Sequence, residues 1–399
     1  MAPPSLKLRV SQKTETILRS GHPWLFSDSI RDQSRPGQMG ELAIIYDRKD
    51  QFLGMGLLDP DGPIRVRMLH TGKPQKVDHA WWQQHLAVTL DRRRHLFDSQ
   101  TTGYRLCNGE SDGWPGLVLD RYDSTLVLKI YTTVWLSRLD EIVGIIAEQV
   151  PHERLILRMS RNIQELARPL TEGQILRGVP LTEPVVFLES GIRFEVDVVL
   201  GQKTGFYLDQ RENRRRVEAL SQGRRVLNAF SFSGGFSLYA ARGGAISVTD
   251  LDISPHALTA ADRNFELNRH LPTVARCQHV SVKTDVFDWL ESTAAAPRSF
   301  DLIVLDPPSL ARRESERAQA IRAYGRLARS AIELLHPKGI LVACSCSAHV
   351  TAPEFLGAVR SAASQSGRPF AELQTTGHAP DHPATFPEAN YLKAIYLGF

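Results

Sequence analysis

From Gly201 onward the sequence alternates between short apolar runs and segments with apolar residues at helical spacing, and this alternation restricts the fold more than any other feature. Strands that alternate with helices form a mostly parallel sheet with helices on both faces. We therefore predict an α/β fold for the carboxyl-terminal half. The predicted strands are Arg225–Ala229, Ala245–Leu251, Phe300–Leu305 and Gly339–Cys344, a run that precedes Asp285, and two closing strands.

The predicted helices have recognisable ends. Ser254 is placed as an N-cap with Pro255 at the first helical position, which predicts a helix to Asn268. A longer helix is predicted to end at Leu335, where His336-Pro337-Lys338-Gly339 stops it. Tyr324 lies on the apolar face of this helix. The other predicted helices are Gly234–Arg242 and one that begins at Thr351.

The amino-terminal half has a different pattern. Short β-type runs at 42–46, 52–58 and 64–69 are typical of a small barrel, and a helix is predicted from Asp78. Residues 104–200 mix strands with one helix, which indicates an α+β segment. A chain of 399 residues has room for two or three domains. We predict three, comprising residues 1–76, 77–188 and 189–399.

Composition excludes several classes of protein. Hydrophobic residues make up 42% of the chain and charged residues 23%, so a collagen-like or wholly disordered chain is excluded. An apolar run of about 18 residues does not occur, so we expect a soluble, cytoplasmic protein. Four cysteines are too few for a disulfide framework, and their spacing predicts no metal site. A net charge of +4 permits an anionic partner without requiring one.

Small and acidic residues follow the predicted parallel strands of the α/β domain. In such sheets ligands bind beyond the carboxyl ends of the strands. The glycines of the first loop allow close approach of a ligand, but the loop is not the GxGxxG of dinucleotide-binding folds. The carboxylates would repel a pyrophosphate and suit a nucleoside with free ribose hydroxyls and a cationic sulfonium, which is S-adenosylmethionine. These positions are the loop 228–236, Asp250, Asp252, Asp285 with Val286 and Phe287 behind it, and Asp306.

Three motifs carry a resemblance to a known family. They are GQKTGFYLDQR from Gly201, NAFSFSGGF from Asn228 and LDPP from Leu305. The chain resembles the ribosomal RNA large subunit methyltransferase I family of class I methyltransferases. NGESDGWPGL from Asn108 is similar to that family's middle domain, and GHPWLF from Gly21 to its PUA-type RNA-binding barrel.

The resemblance implies a fold, a cofactor and a substrate. The fold is a seven-stranded Rossmann-like methyltransferase domain, preceded by a PUA-like barrel and an α+β middle domain. The implied activity is transfer of a methyl group from S-adenosylmethionine to C5 of a cytosine in large-subunit (23S) ribosomal RNA. The cofactor-binding residues implied by the motifs are Lys203, Thr204 and Gly205 at the methionine end, Asn228, Phe230, Ser231, Gly234 and Gly235 along the cofactor, Asp252 at the ribose, Asp285 at the adenine, and Asp306 at the methionine amino group or the target base.

Methylation at cytosine C5 requires a nucleophile, because C5 itself reacts slowly. A thiolate that adds to C6 makes C5 enamine-like, and an aspartic acid near N3 stabilises the developing charge. Cys344 and Cys346 end the fifth strand beside Asp306, and Cys346 is nearer the open edge. The family's serine-cysteine-serine pattern also matches Cys346. We predict Cys346 as the nucleophile and Asp306 as its catalytic partner, with Cys344 as strand packing.

The base that removes the C5 proton is left open between His349, Asp209 and Cys344. No thiol follows Asp306, unlike in RNA cytosine-C5 enzymes that use two cysteines. Asp306-Pro307-Pro308-Ser309 also lacks the aromatic residue common in enzymes that methylate exocyclic amines. This absence favours cytosine C5 over an amine.

Basic residues at two places predict RNA contacts. Lys7 and Arg9 lie in the barrel, where Trp24 is interpreted as core. The others begin at Arg211, the last residue of the GQKTGFYLDQR motif. Phosphate contacts by such residues make binding sensitive to salt. The target base must also be unstacked. The predicted RNA-binding residues are Lys7, Arg9, Arg211, Arg214 and Arg215.

Two other functions compete with this prediction. The first is methylation of guanine N2 or N7 in ribosomal RNA, which needs no thiol. The second is a noncatalytic RNA-binding assembly protein on the same scaffold. A dehydrogenase is disfavoured by the loop spacing. The oligomeric state is open, and the added amino-terminal domains leave surface for a homodimer.

Overall fold

The computed structural model describes residues 5–293 and 298–399, and these form two compact units. The prediction assigned residues 189–399 to one domain, but two segments of this range belong to the first unit. The first unit contains Met1–Phe187, Val196–Phe206 and Pro380–Phe386, and the second contains Leu188–Glu195, Tyr207–Ala379 and Pro387–Phe399.

The first sheet of the first unit has six strands in the order β2-β6-β5-β4-β1-β3. β1 pairs parallel to β4, and the remaining pairs are antiparallel. Alternate residues of β1 are buried, as expected for a strand with one face on a core. Its elements are β1 (Leu6–Val10), α1 (Gln12–Arg19), β2 (Trp24–Phe26), β3 (Ile30–Gln33), β4 (Leu42–Tyr46), β5 (Phe52–Leu58) and β6 (Ile64–Thr71).

The second sheet of this unit has five strands in the order β11-β10-β9-β8-β7. Asp78 caps its first helix by accepting from the Trp81 backbone N–H. Leu57 and Leu69 of the first sheet share one core with Trp82, which explains why the two sheets cluster together. The elements are α2 (His79–Asp91), β7 (Gly103–Asn108), β8 (Leu117–Tyr122), β9 (Thr125–Ile130), α3 (Leu139–Gln149), β10 (Arg154–Met159) and β11 (Ile175–Gly178).

The segment Pro380–Phe386 completes the first unit from a distant part of the chain. Asp381 is buried, and its carboxylate accepts from the Arg105 backbone N–H at 2.8 Å. The Asp381 carbonyl accepts from the Arg93 guanidinium at 2.9 Å, and Arg93 also pairs with the buried Asp112. A few residues from the carboxyl-terminal region therefore satisfy buried polar groups of the amino-terminal half.

The second unit is built on a seven-stranded sheet in the order β16-β15-β14-β17-β18-β20-β19. β14 to β18 run parallel, and β20 is antiparallel to both neighbours. A two-stranded sheet of β12 (Val185–Glu189) and β13 (Ile192–Val196) precedes it. The elements are α4 (Arg211–Ala219), β14 (Arg225–Ala229), α5 (Gly235–Arg242), β15 (Ser247–Asp252), α6 (Pro255–Leu267), α7 (Pro272–Arg276), β16 (Gln278–Lys283), α8 (Val286–Thr293), β17 (Phe300–Leu305), α9 (Arg317–Leu334), β18 (Leu335–Ser345), α10 (Ala352–Gln365), β19 (Ala371–Thr376) and β20 (Lys393–Gly398).

The predicted α/β alternation is confirmed; the structure adds the helices α4, α7 and α8, which were not predicted, and it differs at β18. The sequence predicts a break at residues 336–339, whereas the strand already begins at Leu335, which pairs with Phe300. The register then shifts before Leu302 meets Ile340. This irregularity lets Pro337, which has no N–H, lie within the strand without interrupting a regular ladder. Among the described residues no helix combines the length and apolarity needed to cross a bilayer.

Candidate active site

Strand order reverses at β14, whose neighbours are β15 on one side and β17 on the other. In parallel α/β sheets a crevice opens beyond the strand ends at such a point. Asn228 is level with Asp250 of β15, and Ala229 is level with Leu305 of β17. The loop after β14, the end of β15 and the residues after β17 therefore share one edge of the sheet, as the sequence predicts.

The loop after β14 has an unusual backbone. Phe230, Phe232 and Gly234 all have positive φ, at 64°, 49° and 74°. Such values are costly for residues other than glycine, and they concentrate at functional sites. At Gly234 a Cβ would also lie 2.9 Å from the Ala261 Cβ, so only glycine fits. The Phe232 N–H donates to Asp252 at 2.9 Å, which ties the loop to the end of β15.

Polar atoms in and beside this loop are available for a ligand. The Asn228 Oδ1 and the Ser231 and Ser233 hydroxyls are buried, and no described residue gives them a hydrogen-bond partner. Burying polar atoms without partners is costly, so a bound polar molecule is the expected partner. The Asn228 amide N–H₂ is already engaged, since it donates to Ser237 and Asp250.

The acidic residues predicted beyond the strands have different surroundings. Asp250 is fully buried and bonded to His279 at 2.8 Å, so its role is structural. Asp252 is half-buried and accepts from the backbone N–H groups of Phe232 and Ser254, which orient its carboxylate. Asp285 is exposed and accepts from the Phe287 N–H at 2.8 Å, so it acts as the N-terminal cap of α8.

Asp306 and Cys346 lie on adjacent strand ends. β17 pairs with β18, so the residue after Leu305 and the residue after Ser345 reach the same edge. Asp306 and Cys346 are both half-buried, and the Cys346 Sγ lies 3.9 Å from the Pro307 carbonyl oxygen. Cys344 is buried, and burial raises the pKa of its thiol far above the usual range, with the Asp306 charge adding to the effect. We therefore expect the Cys344 thiol to stay protonated at neutral pH.

Tyr207 also belongs to this edge, although sequence reasoning gave it no role. Burial raises the pKa of its phenol well above the ordinary value, and the charges of Asp306, Cys346, Asp209 and Asp252 raise it further, in that order. We therefore expect the phenol to stay protonated at neutral pH. It lies close enough to these three carboxyl groups and one thiol to respond to their charges. Its ring contacts that of Phe232 with centroids 5.1 Å apart. The signal in the sequence was an aromatic residue inside the specific GQKTGFYLDQR motif.

A hydroxyl cluster, formed by Tyr324, Ser345, Ser347 and Ser309, joins the loop after β17 to the loop after β18. The Tyr324 hydroxyl bonds to Ser345 at 2.9 Å and to Ser347 at 2.8 Å. The Ser347 Oγ also accepts from the backbone N–H groups of Leu310 and Ala311. The residues on both sides of Cys346 are thus linked to the loop that follows Asp306.

Comparison with known proteins decides which family this is. A family model described as S-adenosylmethionine-dependent methyltransferase matches residues 154–397, and one described as a PUA-like domain matches residues 8–71. A ribosomal RNA large subunit methyltransferase of Deinococcus radiodurans is 55% identical, over 99% of this chain and 97% of the relative. A ribosomal RNA large subunit methyltransferase I of Pseudoalteromonas translucida is 35% identical, over 95% of each chain. The chain belongs to the ribosomal RNA large subunit methyltransferase I family.

Solved structures agree with this membership. A candidate SAM-dependent methyltransferase from Streptococcus mutans superposes with a TM-score of 0.83 and 25% identity, covering 98% of this chain and all (100%) of that one. A further candidate methyltransferase, solved in complex with SAH, superposes with a TM-score of 0.84. Our chain is thus an S-adenosylmethionine-dependent methyltransferase with an amino-terminal PUA-like domain, and the predicted family, fold class and cofactor are confirmed.

The residues predicted at the methionine end of the methyltransferase cofactor belong to the first unit. Thr204 is buried, and its hydroxyl bonds to Asp120 at 2.6 Å and to Tyr122 at 2.9 Å. The Lys203 carbonyl accepts from Lys129 at 2.7 Å, and Gly205 has a φ of +131°. Their contact with the cofactor stays a prediction, as do those of Asn228, Phe230, Ser231, Gly234, Gly235, Asp252, Asp285 and Asp306.

The arginines predicted to contact RNA separate into two groups. Arg211 and Arg214 are 1% and 2% exposed, and Arg214 forms a double hydrogen bond with the fully buried Glu189. The prediction that they contact phosphates is wrong for this reason, since both are packed inside the second unit. Arg215 is exposed on the same helix, and its RNA contact stays a prediction.

Two further predicted RNA contacts lie in the PUA-like domain. Lys7 is exposed on β1, whereas Arg9 pairs with Asp50 at 2.6 Å and Asp32 at 3.3 Å. Both stay predictions. No group of three or more His, Cys, Asp or Glu side chains in the described parts of the chain is arranged for a metal ion.

Asp252→Ala is expected to weaken SAH binding by about 10- to 100-fold, because a hydrogen bond to a charged group contributes about 1.5–3 kcal/mol. The same change frees the Phe232 N–H and loosens the loop. Isothermal titration calorimetry with SAH measures the effect. Asp288→Ala, which removes an exposed acid from α8, is the matched control. An unchanged affinity in Asp252→Ala would contradict a cofactor contact at this position.

Tyr324→Phe is expected to lower the single-turnover rate of methyl transfer by about tenfold while SAH affinity is retained, because a displacement of about 1 Å at a reacting group is costly. The ring stays, but the hydroxyl that bridges the side chains of Ser345 and Ser347 is lost. Tyr239→Phe is the matched control, since it removes another buried hydroxyl, bonded to the Glu189 carbonyl. Equal rates in both variants would show that the hydroxyl cluster does not position the loops.

Proposed function

We propose that this enzyme transfers a methyl group from S-adenosylmethionine to C5 of a cytosine in large-subunit ribosomal RNA, with Cys346 as the nucleophile. The observation that carries the proposal is the half-buried Cys346 thiol at the end of β18, 3.9 Å from the Pro307 carbonyl and thus beside the loop of Asp306. The relatives from Deinococcus radiodurans and Pseudoalteromonas translucida are both named for large-subunit ribosomal RNA, which supports this choice of substrate.

The proposed reaction begins when the Cys346 thiolate adds to C6 of the cytosine. The ring electrons released toward C5 take up the methyl group, and the cofactor supplies that group as an electrophile on its sulfonium. A base then removes the C5 proton, the C5–C6 double bond re-forms, and the thiolate leaves. Atoms and charge balance, because one proton leaves and one methyl group enters.

Two residues beside the nucleophile have proposed roles in these steps. Asp306 is proposed to act as the carboxylic acid, donating a hydrogen bond to N3 of the bound base, where negative charge develops when the thiolate adds to C6. Burial raises the pKa of Cys344 and disfavours it as the C5 base, so we propose Asp209 or His349 for that role. Asp209 is buried and accepts from the Tyr391 hydroxyl at 2.7 Å, whereas His349 lies on the exposed loop after Cys346.

Access to C5 requires a cytosine that is single-stranded or flipped out of its helix. The exposed Lys7 and Arg215, and also Arg9, are each proposed to contact phosphates of the structured RNA. The protein is proposed to act in the cytoplasm, where ribosomal RNA is assembled, and a homodimer stays a prediction.

Nucleoside analysis tests the proposed reaction directly. Large-subunit ribosomal RNA from a strain that lacks the gene is incubated with the enzyme and isotopically labelled S-adenosylmethionine, digested and examined by mass spectrometry. We expect label in 5-methylcytidine at one position, and less of it with the Asp252→Ala protein at a limiting concentration of the methyl donor. Label in N2- or N7-methylguanosine would assign the enzyme to guanine, and no label in any RNA would favour a noncatalytic assembly role.

A further inference from the structure

Lys393 is a buried lysine next to the proposed nucleophile. It begins β20, lies opposite Ser345 of β18, and is only 5% exposed. Its Nζ donates to the Ser347 and Val350 carbonyls, both at 2.7 Å. Both carbonyls belong to residues 346–350, which begin with Cys346 and which we call the 346–350 loop. The ammonium therefore binds both ends of the loop that carries the thiol.

The charge on Lys393 is retained at neutral pH despite its burial. Burial lowers the pKa of the ammonium to about 8, while the charges of Cys346 and Glu354 oppose the decrease. A group with that pKa is about nine-tenths protonated at pH 7. A buried charge carries a desolvation penalty that an uncharged side chain of similar size would avoid, so we look for a role for the ammonium.

Three other titratable groups respond to the charge of the thiol, and none of them can become a cation. Tyr207, Tyr324 and Cys344 each respond to the charge of Cys346, and burial raises the pKa of all three, so they stay neutral. Asp306 adds negative charge at the same edge. On the flanking segments, His349 lies 3.6 Å from Glu314, and Glu354 is paired with Arg317.

We propose that the Lys393 ammonium, anchored by the Ser347 and Val350 carbonyls, is the cation that stabilises the Cys346 thiolate and positions the 346–350 loop. The inference rests on the proposed function, because it gives Lys393 a role through Cys346. The thiol proton leaves to solvent before RNA binds, and Lys393 keeps its own protons throughout. A free cysteine has a pKa of about 8.5 and is mostly protonated at neutral pH. A neighbouring cation stabilises the thiolate, which lowers the thiol pKa and increases the reactive fraction.

Alkylation of Cys346 by iodoacetamide as a function of pH tests the proposal without RNA or methyl donor. Tandem mass spectrometry distinguishes Cys346 from Cys344 within one peptide. We expect a thiol pKa below about 8.5 in the wild type. In Lys393→Met the thiol pKa is expected to rise by about one unit, which leaves about tenfold less thiolate at neutral pH. Lys393→Arg, which keeps the charge, is expected to stay within about half a unit of the wild type.

Lys338→Met is the matched control, since Lys338 is exposed at the other end of β18. It is expected to leave the thiol pKa unchanged. A wild-type pKa at or above that of free cysteine would overturn the proposal, and this result needs no variant to fold. An unchanged pKa in a folded Lys393→Met protein that still binds SAH would also overturn it and leave Lys393 with packing alone. Because alkylation uses neither substrate, it is independent of the proposed reaction on cytosine.

Discussion

Cys346→Ala is expected to lower methyl transfer to ribosomal RNA by about a thousandfold or more, because covalent catalysis disappears when its nucleophile is removed. SAH affinity is expected to be unchanged, since the loop after β14 and Asp252 are untouched. RNA that contains 5-fluorocytidine provides the second measurement. Fluorine at C5 cannot leave as a proton, so the adduct between Cys346 and C6 accumulates in the wild type and is resolved by denaturing electrophoresis.

Cys344→Ala is the matched control for this experiment. It removes a thiol two positions away on the same strand, one that is buried and stays protonated. We expect this variant to form the adduct and to retain methyl transfer. A fully active Cys346→Ala enzyme, or an adduct that maps to Cys344, would contradict the proposed mechanism.

Arg214→Met is expected to lower the free energy of unfolding of the second unit by about 3 kcal/mol, because removal of one partner leaves a buried charge uncompensated. Glu189 is fully buried and receives two hydrogen bonds from Arg214, at 2.8 and 2.7 Å. Five of the six tryptophans lie in the first unit, so intrinsic fluorescence reports mainly on that unit. Hydrogen exchange of peptides from α4 in increasing urea is the appropriate measurement.

Arg215→Met on the same helix is the control for Arg214. Its side chain is 54% exposed, so we expect a change in stability within about 0.5 kcal/mol. If Arg215 contacts a phosphate, the slope of log affinity for RNA against log salt falls by about one. A stable Arg214→Met protein with weakened RNA binding would show that Arg214, and not Arg215, faces the RNA.

The edge of the sheet could be predicted from the sequence, because it depends on where apolar runs end. The runs that form β15, β17 and β18 stop beside Asp252, Asp306 and Cys346. Parallel neighbours bring their carboxyl ends together, so these residues share an edge whatever the packing behind them.

Contacts between distant segments could not be predicted in the same way. Arg214 lies in a run of charged residues that is typical of an exposed helix, and its partner Glu189 is on another element, 25 residues upstream. Lys393 lies in an apolar strand, and nothing local indicates that its Nζ reaches carbonyls 46 and 43 residues upstream. The helical pattern places Tyr324 on an apolar face but does not reveal what its hydroxyl bonds.

The segment Pro380–Phe386 has a consequence for how the protein folds during synthesis. Asp381 follows Arg105 by 276 residues, and the buried polar groups of Arg93 and Arg105 depend on it. Domains commonly fold one after another as the chain emerges from the ribosome. Here the first unit cannot complete these two hydrogen bonds until Asp381 has been translated, 276 residues after Arg105, so its final packing awaits a much later stretch of the message.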